Sequence, residues 1–378
     1  LDFWGKYRRA IQANDAAFLG SLAAYDYALV TLTSDVALSY IKIRTTEGKI
    51  KVTKANIAVQ SIGLRIAKSR FRNGQTSLVD VEQAQTELSQ TQAMLPTLIS
   101  NLQIQKDALA VLLGTVPNAM DGLLEKSYGI PKAPVHVAVG IPLETLARRP
   151  DIYEARMEAV KQSATIGQIK ANLYPSLSLT GTFAFASNNI GTSNIGDIFN
   201  WGNRTITSGP GFTWSVLNYG QITNAVRAQD ALFQQALLKY ENLVLKAQQE
   251  VQDSISSFVG ANQATQFLTK ANTSATKSLK LALVRYKEGE TDFTPVLNAE
   301  QQLLQVQMSL VNAQGDIPQS LVMLYRGLGG GWKIRANNDV VSEEVKRAMA
   351  QRTHWGSLLK PENHLAPLAK KQWYLPKW

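Results

Sequence analysis

The sequence predicts a mainly α-helical protein in which long coiled-coil hairpins form two structural repeats, with a small β part suited to a membrane. Two observations predict this class: an internal repeat with a seven-residue apolar period, and two short segments in which apolar and small polar residues alternate. The composition agrees with a folded chain, because the 378 residues include 45% hydrophobic and 18% charged side chains, with a net charge of +10.

The first and last thirds of the chain are copies of each other. A shift of 215 residues superimposes them without a gap, from the start of the chain to Gly114. The matched pairs include Tyr25 with Tyr240, Gly74 with Gly289, Val81 with Val296, and Gly114 with Gly329. Such self-similarity predicts that both copies adopt the same local fold.

Within each copy, apolar residues recur at every seventh position. The first stripe consists of Leu22, Leu29, Val36, Ile43, Ile50, Ile57, Leu64 and Phe71. A strict heptad predicts helices that supercoil on their neighbours. From Gly5 to Phe71 the chain has 67 residues, so this helix is expected to run for about 100 Å.

Each stripe is broken once by a glycine-containing turn and then resumes. The turns are residues 72–77 and 287–292. Gly74 and Gly289 can end the first helix, and the Thr-Ser or Thr-Asp pair that follows can cap the next one. Each repeat is therefore predicted to be a long helical hairpin. A soluble coiled-coil scaffold has the same periodicity and stays open as an alternative.

Two segments between the repeats, residues 175–185 and 211–217, alternate with a period of two. Strands of about ten residues with one apolar and one small polar face suit a transmembrane barrel with a wet lumen, although a soluble two-stranded sheet has the same pattern. The loop at 188–207, with Trp201, is typical of an exposed extracellular loop. The predicted lipid-facing residues are Leu177, Leu179, Phe183, Phe185, Phe212, Trp214 and Val216.

Two strands cannot close a barrel, so other strands are required. The repeat shift aligns residues 1–5 with residues 216–220, the end of the second segment. We therefore expect the first strand pair, within roughly 70 to 115 residues that include any leader and any lipid-bearing cysteine, to lie upstream of Leu1. Without those strands we expect this chain to fail to form a sealed barrel.

Several functional classes are disfavoured by composition. The chain has no cysteine, which excludes disulfides, thiolate metal sites and cysteine nucleophiles, and its three histidines are His136, His354 and His364. No run approaches the roughly 20 apolar residues of a membrane-spanning helix. We find no glycine-rich phosphate loop after a strand and no nucleic-acid motif, so neither an enzyme, a cofactor nor a nucleic-acid partner is expected.

A set of short motifs resembles the outer-membrane efflux proteins of the TolC/OprM type. They are Gly140-Ile141-Pro142, Leu146-Ala147-Arg148-Arg149-Pro150-Asp151-Ile152, Glu154-Ala155, Ile166-Gly167, Tyr174-Pro175-Ser176 and Leu328-Gly329-Gly330-Gly331-Trp332. The resemblance covers residues 1 to about 332 and implies a homotrimer in outer-membrane lipid. Each protomer would give four strands to a twelve-stranded barrel and its helices to a periplasmic α-barrel.

The resemblance also implies a passive exit duct for drugs and other small molecules. Such a duct docks with a periplasmic adaptor and an inner-membrane pump, often of the resistance-nodulation-division class, and catalyses nothing. The implied organisation is a first hairpin repeat at 1–114, an equatorial linker at 115–149, a helix and strand pair at 150–219, a second hairpin repeat at 220–330, and a C-terminal equatorial segment at 331–378. The strands would span 174–187 and 207–218, and the equatorial crossing would span 116–142.

In this family the hairpin turns form the periplasmic tip, which meets the adaptor and closes the resting duct. The resemblance implies a gating hydrogen bond between Asp80 and Tyr286. The alternative is that Tyr286 merely continues the heptad stripe while Asp80 sits in a solvated first turn. The adaptor-contact residues would be Arg70, Gly74, Thr76, Arg285 and Gly289.

Some family members carry an acidic ring at the tip for cation selectivity. This chain has Pro295 and Asn298 at the positions of the two aspartates. An acidic constriction would then come from Asp80, Glu290 or Asp292, with Thr291 between the last two.

Overall fold

The computed structural model of the protein describes residues 2–117, 121–124, 129–133, 148–186, 196, 198–330, 339 and 341–354. These residues fall into two compact units. Those within 2–26, 150–245 and 339–354 belong to one unit, and those within 27–149 and 246–330 belong to the other.

The two predicted hairpins are confirmed. Helix α1 (Lys6–Arg72) is followed by α2 (Leu78–Leu112), and α5 (Tyr219–Glu288) is followed by α6 (Thr294–Gly327). Between them lie the short helix α3 (Asp121–Leu124) and α4 (Pro150–Lys170). Helix α7 (Glu343–Arg352) lies near the end of the described chain.

Both hairpin turns end their first helix in the same way. Gly74 and Gly289 adopt φ angles of 69° and 84°, in the left-handed region that favours glycine. The amide of the residue after each glycine donates back to a helix carbonyl, from Gln75 to Arg70 at 2.9 Å and from Glu290 to Arg285 at 3.0 Å. This is a Schellman arrangement, and it agrees with the prediction that the two glycines end the first helix of each hairpin.

The predicted caps of the second helices are wrong in detail. Ser77 stands at the N-cap position of α2 without a side-chain capping bond, and the neighbouring Thr76 hydroxyl donates to Asp80 instead. The N-cap position of α6 is Phe293, one residue beyond Asp292. Pro295 lies in the first turn of α6, where a missing N–H costs nothing because that donor has no partner within the helix.

The core beside the turns is built from the heptad stripes of all four long helices. It shows why most of the stripe positions are apolar, because they pack against one another away from water. Phe71, the last member of the first stripe, is an exception and is 42% exposed. The buried members of this core are Leu64, Ala67, Val81, Ala84, Leu88, Ala275, Leu279, Tyr286, Phe293, Val296, Ala299 and Leu303.

The two strands form an antiparallel pair, β1 (Ser176–Phe185) and β2 (Arg204–Thr213). Residues that face each other across the pair lie on the same side of the sheet. Leu177 is opposite Phe212 and Phe183 is opposite Ile206, which makes one side apolar. The other side carries the opposed pairs Ser176 with Thr213, Ser178 with Gly211, Thr180 with Gly209, and Thr182 with Thr207.

The predicted second strand was placed too late in the chain. It begins at Arg204 and ends at Thr213, so Trp214 and Val216 lie outside it. Beyond Ser176 the next residue of the facing segment is Pro175, which has no N–H for a ladder hydrogen bond. Trp214 instead donates its indole N–H to the carbonyl of Leu173 at 3.1 Å, and Val216 starts a 3₁₀ turn.

Helix α1 differs from the expectation that no helix could cross a membrane. It contains one 18-residue window with a mean hydropathy of 1.2, which is long and apolar enough by composition. One such helix among the described residues is weak evidence, because core helices of soluble proteins have the same composition.

The organisation into five segments stays a prediction. Most of the equatorial crossing at 116–142 and most of the C-terminal segment at 331–378 lie outside the described residues. The described part of the crossing includes Leu124, which is buried against Ile43, Leu109 and Ala110.

Candidate functional site

The candidate site is the pair of hairpin turns, where α1, α2, α5 and α6 meet. Tyr286, near the end of α5, is fully buried there. Its ring packs edge-to-face on Phe293 with centroids 5.2 Å apart, and the Arg70 guanidinium lies 4.6 Å from the ring centroid. A cation over an aromatic face in a partly buried site adds to the packing energy of the ring.

A polar network connects the two turns through the same tyrosine. The Tyr286 hydroxyl donates to Asp80 Oδ2 at 3.2 Å, and the Thr76 hydroxyl donates to the same oxygen. Arg70 Nη1 donates to the backbone carbonyl of Tyr286, and its Nη2 donates to the carbonyl of Gln75 at 3.2 Å. The first turn therefore holds the second by side chains from both of its helices.

Asp80 and Tyr286, at the centre of the network, are buried, which contradicts one part of the alternative interpretation and agrees with the other. Asp80 is 7% exposed, so it does not sit in a solvated first turn. Tyr286 does belong to the apolar core, as the alternative expected. Burial raises the pKa of the Tyr286 hydroxyl above its ordinary value, and the negative Asp80 carboxylate adds to this rise. The hydroxyl therefore stays a proton donor across the physiological range.

The other predicted residues of the second turn lie outside this network. Glu290 pairs with Arg285 at 3.1 Å, with both side chains 60% exposed. Asp292, Pro295 and Asn298 are exposed on the surface of the turn and of the first turns of α6. Thr291 is half-buried. Within one protomer, then, the acidic residues proposed for a constriction do not cluster with Asp80.

A layer of buried polar groups behind the turns was missed by sequence reasoning. Glu87 on α2 accepts from the side-chain amides of Gln60 at 3.4 Å and of Gln301 at 2.8 Å. Glu300 on α6 is 2% exposed. Burial, and then the charge of Glu87, raise the pKa of Glu300 to about 7. The available signal was the spacing, because Glu87 and Glu300 follow Asp80 and Phe293 by seven residues each.

The sheet has two exposed faces of opposite character. On its apolar face Leu179 is 77% exposed and Phe212 is 64% exposed. A contiguous apolar surface of this kind marks a site of contact with lipid or protein.

Among the described residues no group of three or more His, Asp or Glu side chains is placed to hold a metal ion.

Comparisons with known proteins agree with this architecture. The family model of outer membrane efflux proteins matches residues 1–115 and 141–330, well over half of the chain. Nodulation protein T of Rhizobium leguminosarum bv. trifolii is 27% identical over 333 residues, covering 88% of this chain and 70% of the relative. The outer membrane protein OprJ of Pseudomonas aeruginosa is 25% identical over 332 residues, covering 88% of this chain and 68% of the relative.

Solved structures give the same result. The outer-membrane channel OprN superimposes with a TM-score of 0.83 at 27% identity, over 88% of this chain and 74% of that protein. The outer membrane protein VceC of Vibrio cholerae superimposes with a TM-score of 0.78 at 25% identity, over 88% and 78%. The fold is that of the α-barrel and β-barrel channels. With the four long helices, both strands and both hairpin turns inside the matched ranges, the chain belongs to the outer membrane efflux protein family.

Proposed function

We propose that the hairpin turns form the periplasmic tip of a trimeric outer-membrane efflux duct, and that the network around Tyr286 holds this tip in its resting arrangement. The observation that carries the proposal is the buried hydrogen bond from Tyr286 to Asp80. It joins the first hairpin to the second, so the two turns separate only if it breaks. Arg70 reinforces the junction through its contact with the face of the Tyr286 ring and its hydrogen bond to the Tyr286 carbonyl.

The network suits a reversible latch because its bonds can be exchanged. Charge-assisted hydrogen bonds are stronger than neutral ones, and a docked partner that offers equivalent acceptors and donors removes the cost of breaking them. Arg70 and Thr76 are only partly buried, so a partner can reach them. A periplasmic adaptor is the partner we propose, with an inner-membrane pump supplying the cargo.

Exposed apolar residues at the start of α2 support an adaptor contact at the turns. Leu78 is 53% exposed and Val79 is 61% exposed, immediately before Asp80. Apolar side chains beside a polar latch give a partner contact area and access to the network together. Movement of the first turn of α2 by such a contact would act directly on Asp80.

Cargo selection is proposed to lie with the pump and not with the duct. Relatives of similar identity are described as a solvent efflux protein of Pseudomonas putida, SrpC, and as a cation efflux protein of Escherichia coli, CusC. One architecture is therefore associated with unlike cargoes. We propose that this chain is a passive duct for small molecules that performs no catalysis. We find no observation that favours the soluble scaffold instead.

The latch is tested by single-channel conductance, in planar lipid bilayers, of the assembled duct purified from outer membranes. Tyr286→Phe removes only the hydroxyl, and Asp80→Asn removes the carboxylate charge. Loss of one buried hydrogen bond of about 1 to 1.5 kcal/mol should raise the open population roughly tenfold. Arg285→Gln, which alters an exposed ion pair of the same turn, is the matched control. Equal conductance of Tyr286→Phe and Arg285→Gln would rule out the latch.

The adaptor contact is tested by cross-linking, which the cysteine-free chain makes simple. Gln75→Cys places one thiol in the first turn, and Ser257→Cys places one on an exposed position of α5, about 45 Å from Tyr286 along the helix. A thiol-reactive cross-linker should capture the adaptor from Gln75→Cys only. Capture from both positions, or from Ser257→Cys alone, would contradict docking at the turns.

A further inference from the structure

A pair of buried carboxyl groups lies one helical heptad behind the latch. Glu87 on α2 is 4% exposed and Glu300 on α6 is 2% exposed. Two negative charges in a dry site repel each other and are both deprived of water, so such a pair is expected to hold a proton.

The hydrogen bonds show which member of the pair holds it. Glu87 accepts from two amide groups, those of Gln60 and Gln301. Glu300 Oε1 is buried without a hydrogen-bond partner, and so is Gln60 Oε1. A buried carboxylate oxygen that accepts no hydrogen bond is costly while the group is ionised. Protonation of Glu300 removes that charge and adds an O–H donor that an ionised carboxyl lacks.

No basic side chain of the surrounding helices neutralises the pair. On α1 the basic residues at this level, Arg65 and Lys68, are exposed, as are Lys277 and Lys280 on α5. On α2 the neighbouring Glu82 is exposed as well. Among the described groups, only Glu87 acts by its charge on Glu300.

The pair is connected to the latch through packing. Glu300 Oε1 and the ring of Phe293 both lie close to Gly63 on α1. A Cβ atom added at Gly63 would be 3.1 Å from Glu300 Oε1 and 3.8 Å from Cε2 of Phe293. Phe293 in turn packs on Tyr286. Glu300 therefore lies close to the ring that packs on Tyr286, and a change in the space or hydration that Glu300 requires is expected to disturb that packing.

We propose that Glu87 and Glu300 form a proton-binding pair that couples the packing of the hairpin turns to pH, with one proton keeping the turns packed and its loss loosening them. Loss of the proton leaves two adjacent buried charges and two unsatisfied acceptors, which favours any arrangement that admits water. The inference rests on the proposed function only in assigning the turns to the periplasmic tip. The elevated pKa of Glu300, about 7, sets the pH range.

The direction follows from proton linkage. In an opened, hydrated arrangement Glu300 regains its ordinary pKa near 4.5, so the packed arrangement binds more protons between about 4.5 and about 7. Packing is then strongest below this range, weakens as the pH rises through it, and stays constant above it.

The proton itself is tested by infrared spectroscopy of the full chain in detergent. The wild-type protein should show a protonated carboxyl band that disappears near pH 7. Glu300→Gln should lack that titration, and Glu82→Gln, an exposed acid of α2, should retain it. Glu87→Gln should move the titration to lower pH by removing the neighbouring charge, which keeps the test decisive should Glu300→Gln fail to fold. Absence of a band titrating between pH 5 and 8, or its persistence in Glu300→Gln, would overturn the proposal.

The coupling is tested on the same samples by amide hydrogen exchange. Protection factors of residues 283–303 should fall between pH 5 and pH 7 by up to tenfold per pH unit in the wild type, and should not depend on pH in Glu300→Gln. A titrating band with pH-independent protection would overturn the coupling. If both results hold while Tyr286→Phe leaves conductance unchanged, the latch fails and the proton-binding pair stands.

Discussion

The two hairpin turns have the same backbone and opposite side-chain roles. Each has a left-handed glycine followed by the same backward hydrogen bond, at Gly74 and at Gly289. The aligned aromatic residues differ, because Phe71 is 42% exposed and Tyr286 is fully buried. The aligned arginines differ as well: Arg70 contacts the Tyr286 ring, whereas the guanidinium of Arg285 pairs with Glu290 at the surface.

The repeated sequence therefore determines the backbone conformation of each turn, but not the burial and contacts of its side chains. Backbone conformation depends on a few local residues, which the repeat preserves. Burial depends on which helix face packs against the other hairpin. Because the two hairpins pack on each other, equivalent positions in the two repeats have different neighbours. Asp80 is the clearest case, since its partner in the second repeat is the exposed Pro295. The two repeats therefore supply complementary halves of the proposed latch.

The largest expected effect comes from truncating the aligned aromatic residues. Tyr286→Ala should lower the free energy of unfolding by about 3 to 5 kcal/mol, because it leaves a cavity in the core and an unpaired Asp80. Phe71→Ala should lower it by about 1 kcal/mol or less, because that ring is already half in water. Native-state hydrogen exchange of the hairpins measures both values. Similar losses in the two variants would show that the turns are energetically equivalent.

The next effect concerns Glu300. Its aligned residue in the first repeat is Gln85, which is not an acid. A rise in pKa from 4.5 to about 7 corresponds to about 3 kcal/mol at 1.36 kcal/mol per unit. The folded state binds the extra proton, so the free energy of unfolding should fall by this order between pH 4.5 and 7 and level off above. Denaturant unfolding of the wild type and of Glu300→Gln at matched pH values measures the difference. An increase in stability over that range would contradict the assignment.

The sequence predicted the repeats, the hairpins and the position of the turns because these features follow local rules. Heptads mark helices, and a glycine marks each helix end. The strand boundary at Thr213 could not be predicted in this way. The alternation continues to Val216, and only the register places Trp214 opposite Pro175.

The candidate site was partly predicted from the sequence, for a different reason. The proximity of Asp80 and Tyr286 was expected from the family resemblance, and the structure places them in hydrogen-bond contact. Their role in gating stays a prediction. The seven-residue spacing places Glu87 and Glu300 on the same helix faces as Asp80 and Phe293. Their proximity to each other could not be predicted, because they lie on different helices and nothing local marks them as neighbours.

A smaller and symmetrical effect is expected at the turn glycines. Gly74→Ala and Gly289→Ala each force a side chain into a left-handed conformation, which costs about 1 to 2 kcal/mol. An added Cβ at Gly74 meets no atom within 4 Å, and at Gly289 it meets Arg70 at 3.4 Å, an ordinary contact. The two variants should therefore lose similar stability in thermal unfolding. A loss at Gly289 several times that at Gly74 would mean that the turns are not equivalent even in their backbone.

The smallest effect is expected from replacing the aligned arginines of the two turns, Arg70 and Arg285. Arg285→Gln should change stability by only about 0.2 to 0.5 kcal/mol, because its ion pair with Glu290 is exposed and screened. Arg70→Gln should cost about 1 kcal/mol or more, because it removes a ring contact and a bond to the Tyr286 carbonyl in a partly buried site. Unfolding at low and high salt separates the two. Salt should abolish the Arg285 effect, since surface charges are screened, and should leave most of the Arg70 effect. If salt abolishes both, Arg70 acts only as a surface charge, and the asymmetry between the turns reduces to the burial of one ring.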